Sequence, residues 1–100
     1  MVAIYKDYFG RGPTRAKTSI TEDSVVVLLS DALTVVEQRL AQEGNHETVL
    51  SVRRKAQESM GRDMTELVER LTGRKVSCLL GDHDVLTDTA VEVLVFEGFE

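Results

Sequence analysis

Val49, Val52, Ala56, Met60, Met64, Leu67 and Leu71 recur at intervals of three and four residues. That spacing gathers side chains along one side of an α-helix for about six turns. Arg53, Arg54, Glu58, Arg62, Asp63, Glu66 and Arg70 fall on the opposite side, as on a solvated helix face, and Gly73 supplies a stop. A helix this long cannot bury its own apolar stripe, so it must lie on another layer. The chain offers that layer on both sides of it. Arg15 to Ile20 alternates in polarity, Thr21 to Ser24 carries turn-forming residues, and Ser24 to Leu29 is a β-branched run. In that run Val25, Val27 and Leu29 face one way and Val26 and Leu28 the other, so both faces of the strand require cover. After the long helix, residues 75–81 begin a third strand and Thr89 to Phe96 form a fourth. The fourth places Val91, Val93 and Val95 on one face, with Ala90, Leu94, Phe96 and a lone Glu92 on the other.

Two further helical pieces complete the pattern. Ile4, Tyr5, Tyr8 and Phe9 have helical spacing and read as the last turns of a helix ended by Gly10 and Pro13. Thr34 with Glu37 three residues on is a capping-box spacing, in which hydroxyl and carboxylate each satisfy the other's backbone N–H, and Gly44 ends that short helix. The expected fold is α+β: a two-layer sandwich with a four-stranded, mainly antiparallel sheet made of two hairpins. Two helices are inserted between the hairpins and pack on one face. With no linker, low-complexity tract or internal repeat, residues 1–100 read as a single domain.

Composition narrows the function classes. A net charge of −5 argues against nucleic acid as a partner, because phosphate neutralisation needs a basic face. The charge is also uneven: Lys6, Arg11, Arg15 and Lys17 stand against Asp7 near the start, while the last twenty residues are acidic. Cys78 is the single cysteine and reads as a small buried hydrophobe, so no internal disulfide forms and a cytoplasmic location is expected. The longest aliphatic run, Val25 to Leu29, is far below the roughly 20 residues that cross a bilayer, so direct membrane insertion is not expected.

Three stretches carry side chains with chemical potential. Gly10, Arg11, Gly12, Pro13 and Arg15 form a glycine-rich, basic corner whose backbone N–H groups and guanidinium forks suit an anion or a partner carboxylate. It lacks a phosphate loop's Gly-Lys-Ser/Thr ending, and Pro13 removes a donor. Asp82, His83 and Asp84 read as a polar hairpin loop; with His46 the only other histidine, they fall short of a metal-ligand set, so no metal or cofactor is expected. Met60 and Met64 read as core filling. No nucleophile, base and orienting group stand together, so the expectation is not an enzyme.

The order of the segments "YKDYFGRGPTRAK", "VVVLLSDALTVVEQRLAQEG", "VLSVRRKAQESM" and "VERLTGRKVSCLLGDHDVLTDTAVEVLVFE" resembles the bacterial MpsC family, small domains named after a sodium-translocating, membrane-potential-generating system. The resemblance covers nearly the whole chain and rests most on Gly10 to Pro13, Leu33–Thr34 with Glu37, and Leu71 to Gly73 followed by Val76. It implies a cytoplasmic accessory component of a membrane ion or inorganic-carbon transport system, with a transport subunit as partner, and brings no catalytic residue. A small-anion or nucleotide sensor at the glycine-rich corner is the alternative. Because the strands carry more apolar faces than two helices can cover, a homodimer on the sheet face is expected. Val26 and Leu28 would lie near its centre, joined by one of the two apolar sets of the last strand, Val91, Val93 and Val95 or Ala90, Leu94 and Phe96, with Leu94 and Phe96 assigned to the interface, while α-helical residues Ile4, Tyr8 and Phe9 cover part of that face. Arg11 would reach the partner's acidic C-terminal strand from the rim.

Overall fold

A computed structural model describes residues 1–99. The elements are α1 (Val2–Phe9), β1 (Arg15–Ile20), β2 (Ser24–Ser30), α2 (Val35–Gln42), α3 (His46–Thr72), β3 (Val76–Asp84) and β4 (Thr89–Phe96). The two hairpins β1–β2 and β3–β4 are joined through β2 and β4, giving an antiparallel sheet in the order β1-β2-β4-β3. Three helices pack against it, so the expected α+β architecture holds, with α1 added to the two helices between the hairpins.

Local chemistry sets most of the boundaries. Glu37 N–H donates to Thr34 Oγ1 at 3.2 Å and Thr34 N–H to Glu37 Oε1 at 2.8 Å, which is the reciprocal cap read from the sequence. Helix α3 ends at Gly73, whose φ of 69° lies in the left-handed region that glycine adopts without a Cβ penalty. Its 27 residues, at 1.5 Å each, run about 40 Å, and this sets the long dimension of the molecule, 44 Å.

The core lies between α3 and the inner side of β2 and β4. Met60, Met64 and Val68 meet Val25, Val27, Leu29, Leu94 and Phe96 there. The inner stripe of α3 is therefore Val49, Arg53, Met60, Met64 and Val68, rotated from the expected one: Val52 and Leu71 are exposed, and Arg53 is buried. Helix α1 packs on α3 on this same side, with Tyr5 buried and Ile4 and Phe9 partly so. It covers nothing on the other side of the sheet. Leu94 and Phe96, expected on the open face, are instead 0% and 1% exposed beneath the helices. They share strand parity with the buried Glu92, whose partners lie on α1 and α3, so the whole set turns inward. The open face consequently carries Val26, Leu28, Val91, Val93 and Val95, and on β3 Cys78 and Leu80, none of them buried. Asp82 to Asp84 are not a loop either. Strand β3 continues to Asp84, paired with Thr89, and the turn falls at 85–88, where Asp88 takes a φ of 51°.

Candidate functional site

The helix-covered side holds two buried carboxylates, and each is answered from a different element. Glu37, at the first turn of α2, receives Arg53 Nε at 2.8 Å on Oε2 and Arg53 Nη2 on Oε1, a two-pronged pair that is almost fully buried. Arg53 Nη2 also donates to Ala32 O at 2.8 Å, and the guanidinium stacks 3.6 Å over the Phe9 ring. One side chain of α3 thus ties α1, the β2–α2 connection and α2 together. Burial alone pushes the Glu37 carboxyl upward, but the hydrogen bonds and charge of Arg53, with the Thr34 cap, hold it net below the usual carboxylate range.

Glu92 in β4 is 2% exposed. Tyr5 OH donates to its Oε1 at 2.8 Å and Gln57 Nε2 to its Oε2 at 2.6 Å. No cation lies within ion-pair distance of it among the described residues. Burial therefore raises the Glu92 carboxyl against the two hydrogen bonds that favour its charge, and burial with the facing Glu92 raises the Tyr5 hydroxyl further. A cavity of about 20 Å³ opens beside this network, lined among others by Tyr5, Phe9, Arg53, Gln57, His83 and Glu92. It has room for about one water. Arg53 Nη1 is buried and meets no acceptor among the described residues, so a water is the natural partner for it. Gly81 closes the wall: a Cβ there would come within 2.6 Å of both Gln57 Nε2 and Glu92 Oε2.

The glycine-rich corner is a built turn. Gly10 caps α1 at a φ of 79° and its N–H donates to Lys6 O at 2.8 Å. Gly12 sits where a Cβ would meet Val2 Cγ1 at 2.9 Å, and Pro13 is buried. Arg11 turns back on its own chain: Nη1 donates to Leu33 O and Nη2 to Asp31 O, each at 2.7 Å, and Asp31 Oδ2 lies 3.3 Å from Nη2. The fork expected to meet a ligand or a partner thus clasps the β2–α2 connection. Arg15 is exposed at the start of β1 and has no ion-pair partner among the described residues.

The acidic strand end divides by parity. His83 faces inward, with Nε2 2.9 Å from Asp88 Oδ1, while Asp82 and Asp84 face outward. Asp82 Oδ2 lies 3.3 Å from Arg54 Nη2; its carboxyl is held low by the His83 backbone N–H and then by Arg54. Asp84 accepts from Thr87 in the turn. Among the described residues no three His, Cys, Asp or Glu side chains gather as a metal-ligand group.

Sequence reasoning missed the Glu37–Arg53 pair and the Tyr5–Glu92–Gln57 triad. One signal was present, the single Glu92 among apolar neighbours in β4, since a carboxylate on a buried strand face demands donors across from it. Arg53 had a weaker one, the steps of four, seven and four that link Val49, Arg53, Met60 and Met64.

Residues 1–98 match the family described as "Na+-translocating membrane potential-generating system (MpsC)". No curated protein and no solved structure matches the chain. Among the described residues, no helix is long and apolar enough to cross a membrane.

Proposed function

Because the chain belongs to the MpsC family, we propose that it is a non-enzymatic accessory or regulatory domain of a membrane ion or inorganic-carbon transport system. It works in the cytoplasm by protein contact, as a homodimer with a membrane-transport subunit as its partner. The observation that supports this reading is the uncovered sheet face. Leu28 and Leu80 are 47% and 59% exposed there, with Val26, Val91, Val93 and Val95 half-buried between them. Monomers rarely leave a contiguous apolar face of several hundred Å² in water. The buried polar groups favour the same reading, because Arg53 binds Glu37 and Tyr5 and Gln57 bind Glu92, and the cavity of about 20 Å³ that Tyr5, Arg53, Gln57 and Glu92 line has room for about one water.

Cross-linking in the native cells followed by affinity capture tests the role. Recovery of a membrane-transport subunit is expected, and its absence from repeated captures refutes the accessory reading. The sensor reading rests on Arg15, which has no ion-pair partner among the described residues, since both terminal nitrogens of Arg11 already bind main-chain oxygens. A thermal-shift response to phosphate, bicarbonate or a nucleotide that disappears in Arg15→Ala replaces the accessory reading with the sensor.

A further inference from the structure

The open face is charged in an ordered way. Strand register aligns Arg15, Ser30, Thr89 and Asp84 in one row across the sheet, and Lys17, Leu28, Val91 and Asp82 in the next row on the same face. Residues directly opposed on antiparallel neighbours project to the same face. The exposed Leu28 lies between the buried Val27 and Leu29, and Asp82 and Asp84 flank the buried His83, so both rows belong to the open face. The following row, Ser19, Val26, Val93 and Leu80, carries no charge. The face therefore has a basic edge on β1, an apolar middle on β2 and β4, and an acidic edge on β3.

We propose that a second copy of this chain covers the face about a two-fold axis running along the strands, so that the basic edge of each protomer lies over the acidic edge of the other. This rests on the homodimer reading above and adds its orientation. An axis between two stacked sheets has two simple directions. Along the strands, it carries each row onto itself with strand order reversed, so Lys17 faces the partner's Asp82, Arg15 faces the partner's Asp84, and Leu28 faces the partner's Val91. Across the strands, it sets β1 over β1 and β3 over β3 with strand direction reversed, which gathers the cations of both copies along one edge and the carboxylates of both along the other. Like charges brought together at a rim oppose association, and opposite charges steer it. Helix α1 leaves the face clear, because it packs on α3. Arg15 and Lys17 have no ion-pair partner among the described residues, whereas Arg54 and Thr87 hold the two carboxylates in place at the opposite edge.

The face is large enough for a reversible dimer. Four strands about 4.8 Å apart and about eight residues long cover roughly 500 Å² in projection. Side-chain relief raises this toward the about 800 Å² per partner of an ordinary specific interface. Stacked sheets of this kind sit about 10 Å apart and roughly 30° from alignment.

Sedimentation equilibrium of the full chain, from about 1 to 100 μM, separates the two levels of the proposal. The wild type sediments as a dimer in the upper range and Leu28→Glu as a monomer; a monomeric wild type, or a dimer unaltered by Leu28→Glu, overturns the shared homodimer reading. Given a dimer at this face, the pair R15E/K17E tests the axis. Its dissociation constant rises about tenfold, since four rim contacts turn from attraction to repulsion. Mixing R15E/K17E with D82K/D84K, each shown by thermal melting to be folded, restores association to within about threefold of wild type. An affinity unchanged by R15E/K17E overturns the strand-parallel axis and leaves the dimer standing, because the crossed arrangement keeps like charges along that edge whichever sign they have.

Discussion

The two sides of the sheet differ less in hydrophobicity than in how their polar groups are handled. On the helix side Val25, Val27, Leu29, Leu94 and Phe96 surround Glu92, and the carboxylates and guanidinium buried there are answered by groups from other elements. On the open side the valines and leucines are as numerous, but every charge stands at an edge, on Arg15, Lys17, Asp82 and Asp84. A polar group inside a core must be satisfied by specific donors within the fold, which commits that side to one arrangement. A face with its charges at the rim asks only for a complementary surface. The inner side therefore carries the stability of the fold, and the outer side is the one to which the proposed association is assigned.

The strongest way to break this comparison is Arg53→Ala, which strands Glu37 as a buried, unpaired carboxylate. Urea unfolding is expected to show a loss of about 3–5 kcal/mol, while Arg54→Ala, whose pair with Asp82 is exposed, changes stability by less than about 0.5 kcal/mol. Equal costs for the two arginines would remove the distinction between the sides. Next in size, Leu94→Ala opens a cavity in the core and costs about 2–4 kcal/mol. Leu80→Ala on the open face, measured at a concentration where the protein is monomeric, costs about 0.5 kcal/mol or less.

Glu92→Gln sharpens the comparison in the opposite direction. The folded protein raises the Glu92 carboxyl above its ordinary 4.5, so ionising this group opposes folding. Below the ordinary value Glu92 is protonated whether the chain is folded or not, and it brings no penalty. Its destabilisation grows as pH rises from there toward the raised folded value, and persists above it. Glu92→Gln keeps the shape and removes that term, so it should stabilise the protein by about 1 kcal/mol at pH 7 and be nearly neutral near pH 4. Thermal melts at the two pH values measure this; a loss of stability at pH 7 would show that the charged form is the one the fold favours. Glu37 contributes with the opposite sign. Its folded carboxyl lies below 4.5, so the stability it adds is present above that value and is lost as pH falls through the lowered one. An effect of similar size to that of Glu92→Gln is expected at the corner. Arg11→Lys loses the fork to Leu33 and Asp31 while keeping the charge, and should cost about 1 kcal/mol in a urea melt.

Much of this molecule is decided by the sequence alone, because the deciding interactions are local. The Thr34–Glu37 cap, the stop at Gly73, the end of α1 at Gly10 and the alternation along β2 and β4 each involve residues a few positions apart, and all are found where the spacing puts them. What spacing leaves open is every choice between two equally apolar alternatives. In β4, Val91, Val93 and Val95 are as hydrophobic as Ala90, Leu94 and Phe96. Only the donors that Tyr5 and Gln57 bring to Glu92 turn the second set inward. Arg53 occupies a helix position that periodicity assigns to solvent, and burial becomes favourable there only because Glu37, sixteen residues earlier, folds back beside it. Strand order has the same origin, since β2 meets β4 only once α3 has carried the chain across the sheet. The tertiary structure decides these points because a buried charge is tolerated only beside its partner, and partners distant in sequence become neighbours only in the folded chain.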